Sequence, residues 1–336
     1  MSQQNHRPVV RWLWVIYGMI VGMIALGGIT RLTGSGLSMV EWAPLFGVVP
    51  PLNEADWLAT FAKYKQFPQY KLVNQWMTLD DFKRIFFWEY LHRVWGRLIG
   101  LVVLLPMLWF WRTGRLEGTP KGRIVAMFFL GGLQGVVGWI MVRSGLVDQP
   151  AVSHIRLAIH LLLALFIAQW VLWLILDLQS PPRADVPSRT RRMIIGLLVL
   201  VVVQIAWGAF VAGTRAGYLF STFPTMNGYW WPPAPPEQTA LHALFHDPAW
   251  LHATHRWLGL LVFGHAIGTA MRLRTAAPGA ARLLFATISV QVVLGIATVL
   301  SHVQIGLAVS HQLGGALLLS VVTWLLWLTK SEAASR

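Results

Sequence analysis

Four histidines are the residues of this chain best placed to do chemistry. They are His92, His160, His255 and His311, and each lies near the start of a long apolar segment. A neutral imidazole buried among apolar helices needs a partner, and imidazole is a common axial ligand of haem iron. Four histidines at one depth, two in each half of the chain, indicate two haem sites, each held between facing helices.

Glycines and arginines accompany these histidines. The glycines lie four or eight residues after a histidine, at Gly96, Gly100, Gly259 and Gly315. They would let a flat macrocycle approach the backbone, although they would also suit simple helix packing. The arginines on the same side suit haem propionates, because guanidinium binds carboxylates through two hydrogen bonds; they are Arg31, Arg93, Arg97, Arg156, Arg215 and Arg256. Snorkelling to lipid headgroups is the alternative role for each arginine.

One position distinguishes the two halves. Glu89 lies one helical turn before His92, whereas the equivalent position before His255 is His252. A carboxylate at the edge of a haem pocket can act as an acid or base, or stabilise positive charge on a reacting carbon. We therefore predict the reaction site in the first half and the cofactor site in the second. An ion pair with Arg93 is the alternative role for Glu89.

The composition is typical of a helical membrane protein. Of 336 residues, 56% are hydrophobic and 12% are charged, and the mean hydropathy is +0.57. These values exclude an ordinary soluble protein. The net charge of +14 would suggest a nucleic-acid partner in a soluble domain, but the distribution of the charges between apolar segments does not. The absence of cysteine excludes disulfides, thiolate ligands and iron–sulfur clusters.

Apolar stretches of about 20 residues predict eight membrane-spanning helices. Their bounds are 12–30, 92–111, 123–142, 155–177, 193–212, 252–271, 281–300 and 307–328. The connectors after the second, fourth and sixth spans, together with the termini, hold more than half of the 27 lysines and arginines. Because basic residues favour the cytoplasmic side, we place both termini in the cytoplasm and the haem sites near the periplasmic face of a bacterial inner membrane.

The two halves of the chain resemble each other. The matched positions are Gly27 with Gly208, His92-Arg93 with His255-Arg256, Gln134 with Gln291, and His160 with His311. We therefore predict an all-α polytopic membrane protein whose eight transmembrane helices form two pseudo-symmetric four-helix bundles. Residues 1–180, with the long outer loop 31–90, would form the substrate half, and residues 181–336 the cofactor half.

Longer motifs resemble the haem A synthase family, in its mitochondrial and alphaproteobacterial branch. These motifs are Arg31 to Trp42, Pro50 to Asn53, Lys63 to Lys65, Trp88 to Arg97, Trp139 to Leu146, Arg156 to His160, Phe223 to Asn227, His255-Arg256 and His311-Gln312. Together they cover nearly the whole chain.

The resemblance implies an enzyme that oxidises the C8 methyl group of haem O to the formyl group of haem A, by successive hydroxylations, for terminal oxidases. It implies that His92 and His160 flank the iron of the substrate haem and that Glu89 assists catalysis. It also implies that His255 and His311 ligate the iron of a haem b cofactor. The implied partners are haem O, haem O synthase, oxidase assembly factors and an electron donor that the sequence does not name, and a homo-oligomer is compatible with this family.

A two-haem b membrane subunit that passes electrons to a quinone is the main alternative. Such a subunit normally holds its haems at two depths, whereas these four histidines share one. A di-iron oxidase needs more Glu-x-x-His pairs than the single one here. A haem-farnesylating prenyltransferase needs aspartate-rich motifs facing the cytoplasm, but Asp80-Asp81 is alone and on the outer side. A non-catalytic assembly partner would leave the four histidines unexplained.

Overall fold

The computed structural model describes residues 6–41, 49–147, 149–179, 184–233 and 235–330. The end of the first motif, at Trp42, lies outside these ranges. In chain order the described helices are α1 (Arg7–Leu32), α2 (Glu54–Tyr64), α3 (Pro68–Leu72), α4 (Leu79–Arg112), α5 (Lys121–Arg143), α6 (His154–Gln179), α7 (Ser188–Gly213), α8 (Ala240–His246), α9 (Pro248–Leu273), α10 (Pro278–Leu300) and α11 (Ile305–Leu328). The described residues contain no strand, only an isolated bridge between Met226 and Tyr229.

A long helix covers each of the eight predicted spans. Within the described ranges, seven of them are long and apolar enough to cross a membrane, namely α1, α4, α5, α6, α7, α10 and α11. This confirms the prediction of an all-helical protein with several membrane-spanning segments. The remaining span coincides with α9, which is as long as α1 but less apolar, because it carries His252, His255, Arg256 and His265.

Helix α4 begins at Leu79 rather than at residue 92, where the apolar run starts. The side chain of Thr78 accepts a hydrogen bond from the backbone of Asp81, whose carboxylate accepts one from the backbone of Thr78, so that a capping box sets the earlier start. The first turns of α4 pack on α2 and form a small core outside the apolar run. That core contains Phe61, Tyr64, Phe82, Ile85 and Phe86.

The helices of each half pack as neighbours. In the first half, α1 and α5 each contact both α4 and α6. In the second half, α7 and α10 each contact both α9 and α11. The halves meet where α6 contacts α7 and where α11 contacts α1 and α6. The main apolar core runs across this meeting surface, so that α1, α6, α7 and α11 lie innermost.

Candidate functional site

Each of the four candidate histidines packs its ring against a glycine of a neighbouring helix. A Cβ atom added at that glycine would lie only 2.9–3.2 Å from the histidine Cε1 atom. The four pairs are His92 with Gly27, His160 with Gly138, His255 with Gly208, and His311 with Gly295. Any larger side chain would displace the imidazole. The glycines that we had singled out around the histidines are thus not the ones that contact the rings.

The four rings also share an unsatisfied nitrogen. The Nδ1 atom of each ring is buried and has no hydrogen-bond partner among the described residues. Buried polar groups without a partner are rare in native proteins. Four such rings at matched positions are therefore held by packing, without a hydrogen bond at Nδ1.

The rings of the second-half pair lie at a separation that leaves room for one metal ion between them. The ring centres of His255 and His311 are 6.3 Å apart, and the ring planes cross at 87°. A metal–imidazole bond is about 2 Å long, and the ring centre lies about 1 Å beyond the nitrogen, so two imidazoles that bind one metal ion could have centres about 6 Å apart. The observed separation fits a haem iron between the two rings.

A cavity of about 310 Å³ lies beside this pair. Its walls are mostly apolar, and its volume is in the range of small-molecule and cofactor sites. The charged and titratable residues that line it include His255, His311, Arg31, Arg215 and Arg256. Apolar walls, two facing imidazoles and three guanidinium groups are the chemistry that a flat, apolar macrocycle with anionic propionates requires, so these residues fit a haem.

Arg31 reaches this cavity from the other half of the chain. It lies in the last turn of α1, yet its Nη1 atom donates a hydrogen bond to the carbonyl oxygen of Ala212 in α7, at 3.0 Å. Arg215 follows α7 with a left-handed backbone, at a φ of 56°, and its side chain is exposed. The sequence predicts both arginines on the side of the haem sites, but it does not predict that Arg31 lines the second-half cavity.

Glu89 is buried at the first-half site, and both oxygens of its carboxylate have polar partners. It is 3% exposed. One carboxylate oxygen accepts hydrogen bonds from the hydroxyl of Ser38 and the backbone N–H of Met39, both at 2.8 Å. The other oxygen pairs with Arg93 at 2.6 Å. The ion pair that we weighed as an alternative is therefore present, and Glu89 also ties helix α4 to the outer segment that follows α1.

Arg93 and Arg256 occupy equivalent places and make equivalent contacts. Arg93 donates to the carbonyl oxygens of Met39 and Glu41 at 2.6 and 2.9 Å. Arg256 donates to carbonyl oxygens in the second outer segment, those of Phe220, Thr222 and Thr225 at 2.8–3.3 Å, and to the ring of His252, the counterpart of Glu89, at 3.3 Å. Each arginine thus binds an outer segment to the helix that carries the neighbouring histidine. Arg97, one turn after Arg93, is half-buried and has interactions of its own.

Three glutamines fix the backbone at three of the four histidines. Each donates its Nε2 amide, at 3.0 Å, to the carbonyl oxygen of a histidine on the next long helix: Gln134 to His160, Gln204 to His255, and Gln291 to His311. The Oε1 atom of each glutamine is buried without a partner among the described residues. Glutamine at matched positions of apolar helices was the available sequence signal, but we had used two of these residues only to align the repeat.

Comparison with known proteins identifies the family. A family model described as cytochrome oxidase assembly protein matches residues 10–323. The chain belongs to this family. Relatives named "Heme A synthase" include those of Rhodospirillum centenum, 44% identical over 98% of this chain and 90% of the relative, and of Novosphingobium aromaticivorans, 43% identical over 94% and 93%. That of Paramagnetospirillum magneticum is 44% identical over 96% and 93%.

The other histidines of this family member have structural roles or lie at the surface. His265, deep in α9, makes a 2.9 Å hydrogen bond with the carbonyl oxygen of Met193 in α7, so its Nε2 is the donor. His154 bonds to the carbonyl oxygen of Phe245 at 3.0 Å and lies edge-on to His246. His302 is exposed, in a turn with a φ of 53°. His265 also packs its ring on a glycine, since a Cβ at Gly196 would lie 3.5 Å from its Cε1 atom, but this contact is looser than the 2.9–3.2 Å of the four candidate rings.

Proposed function

We propose that this protein is a haem A synthase of a bacterial inner membrane, which oxidises the C8 methyl group of haem O to a formyl group by successive hydroxylations. The observation that carries the proposal is the matched set of four glycine-backed histidines, with a buried carboxylate beside only one of the two pairs. The relatives named "Heme A synthase" cover nearly the whole chain and support the same activity.

The architecture that we propose has eight transmembrane helices in two four-helix bundles, residues 1–180 and 181–336. Helix α9 is the eighth span, and its packing against α7 and α10 supports this assignment. Both termini lie in the cytoplasm, and the haem sites lie near the periplasmic face. His252, His255 and Arg256 of α9 line the cavity, and His265 bonds to a backbone carbonyl oxygen of α7, which explains how a less apolar helix can lie inside the bilayer.

We assign haem O to His92 and His160 in the first half, and haem b to His255 and His311 in the second. Bound haem b would supply one-electron transfer. Arg31, Arg215 and Arg256 would hold its propionates, since all three residues line the cavity.

Glu89 acts at the substrate site as a fixed negative charge. Its two oxygens already accept three hydrogen bonds, which hold the carboxylate in one position. A fixed carboxylate can stabilise the positive charge that develops on a carbon undergoing oxidation. Arg93 and Arg97 would face the propionates of haem O, while Arg93 keeps Glu89 in place.

The proposed chemistry defines the partners. Haem O synthase must supply the substrate, an electron donor and an oxidant that supplies the oxygen atom must support each hydroxylation, and oxidase assembly factors must receive haem A. The family description, cytochrome oxidase assembly protein, agrees with the last of these.

Haem extraction tests the proposal. Membranes that express the protein with a supply of haem O should contain haem A, whereas Glu89→Ala should accumulate haem O or a hydroxylated intermediate. Glu117→Ala is the matched control, because Glu117 also pairs with a cation four residues away but is exposed at the far end of the bundle. Haem b alone in every sample, with no conversion, would favour the two-haem electron-transfer subunit instead.

A further inference from the structure

One of the four histidines lacks the glutamine contact that the other three share. The carbonyl oxygens of His160, His255 and His311 each accept an amide hydrogen bond from a glutamine. The side chain at the equivalent place near His92 is Met23.

Met23 and Gln204 are true counterparts. Each precedes a ring-contacting glycine by four residues, Gly27 in α1 and Gly208 in α7. A Cβ atom at Gly96 would lie 3.0 Å from the terminal methyl carbon of Met23, and one at the matching Gly259 would lie 3.2 Å from the amide nitrogen of Gln204. The methionine methyl group therefore occupies the place that the amide nitrogen occupies in the second half.

Methionine in place of glutamine removes a hydrogen bond to the histidine on the neighbouring helix. The amide of Gln204 lies 3.0 Å from the carbonyl oxygen of His255 and 3.5 Å from its ring Nε2. Gln134 makes the same two approaches to His160, at 3.0 and 3.4 Å. Methionine has the same length as glutamine but donates no hydrogen bond. His92 is therefore positioned by packing on Gly27 and by its own helix, without an amide from a second helix.

We propose that Met23 makes His92 the releasable ligand of the molecule, so that the first-half site exchanges haem while the second-half site retains it. This inference rests on the proposed function, in which the first-half haem is a substrate that must enter and leave. A synthase needs one exchanging site and one permanent site, and Met23 in the place of a glutamine is one difference between the two sites at a matched position.

Haem capture by apomyoglobin tests the inference on purified protein loaded with haem O. The wild type should lose haem in a fast phase from the first half and a slow phase from the second. Met23→Gln should slow the fast phase about fivefold, the factor expected for one added hydrogen bond, and should narrow the electron paramagnetic resonance signal of that haem. Met23→Leu, which adds no donor, should match the wild type. Gln204→Met should speed the slow phase by a similar factor.

The outcomes separate the inference from the proposed function. If the wild type converts haem O but Met23→Gln leaves the fast phase unchanged, the inference is wrong. If Met23→Gln does not fold, an unchanged slow phase in Gln204→Met overturns the inference instead. A wild type that neither converts haem O nor shows two phases would refute the proposed function, whatever the variants do.

Discussion

At the residue scale, Glu89 is a buried carboxylate that forms an ion pair through one oxygen and accepts two hydrogen bonds through the other. We predict that Glu89→Gln abolishes most haem O conversion and lowers the thermal unfolding midpoint, although the side chain keeps its size. The amide would have to place its N–H₂ group against Ser38 and Met39 or against Arg93, all of which are donors. Removing one partner of a buried ion pair costs about 3 kcal/mol, and the part exposure of Arg93 should reduce that loss.

Two measurements check this prediction together: the ratio of haem A to haem O in membranes, and the unfolding midpoint of the purified protein. Glu117→Gln should change neither, since its partner Lys121 is exposed. An unchanged midpoint with lost conversion would contradict the positioning role of Glu89 and leave only its charge at the reacting carbon.

At the scale of helices, α10 and α11 pack closely where Gly295, which has no side chain, faces the ring of His311. We predict that Gly295→Ala lowers haem occupancy of the second half, because the added Cβ would lie 2.9 Å from Cε1 of His311. Gly264→Ala in α9 is the matched control, since Gly264 does not line the cavity and nothing lies within 4 Å of a Cβ there. Alanine normally stabilises a helix over glycine by roughly 0.5–1 kcal/mol, so the control should be neutral or slightly stabilising. Absorbance of the purified proteins measures occupancy, and equal occupancy in both variants would show that His311 has room to move.

Arg256 of α9 holds the outer segment that follows α7 through hydrogen bonds to its carbonyl oxygens. We predict that Arg256→Lys loosens residues 219–230, because one ammonium group cannot replace a planar guanidinium that reaches three carbonyl oxygens. Backbone hydrogen exchange in that segment should become faster, by about fivefold or more for the loss of a net hydrogen bond. Arg156→Lys should leave the segment unchanged, since Arg156 contacts Ile140 instead. Unchanged exchange in Arg256→Lys would show that the segment is held by its own packing.

At the scale of the whole molecule, the sequence predicted what depends on local composition. Apolar runs located all eight long helices, and the matched histidines are those whose rings pack closely on a glycine of a neighbouring helix. The early start of α4 was missed because its first turns, around Phe82, bury an amphipathic face and are not apolar throughout. Arg31 in the second-half cavity, and Met23 in the place of a glutamine, depend on contacts between helices far apart in the chain, which no local pattern records.

The orientation of α9 is the test of the whole architecture, because this helix carries His255 and is less apolar than the other long helices. The chain has no cysteine, so single cysteines can report sidedness without background. We predict that Glu237→Cys, before α9, reacts with an impermeant maleimide in cells whose inner membrane is intact, and that Ala276→Cys, after α9, reacts only once that membrane is permeabilised. Ala55→Cys and Gly118→Cys give the outer and inner references. If the cysteines at 237 and 276 react from the same side, α9 does not cross the membrane, and the two-bundle arrangement with it must be abandoned.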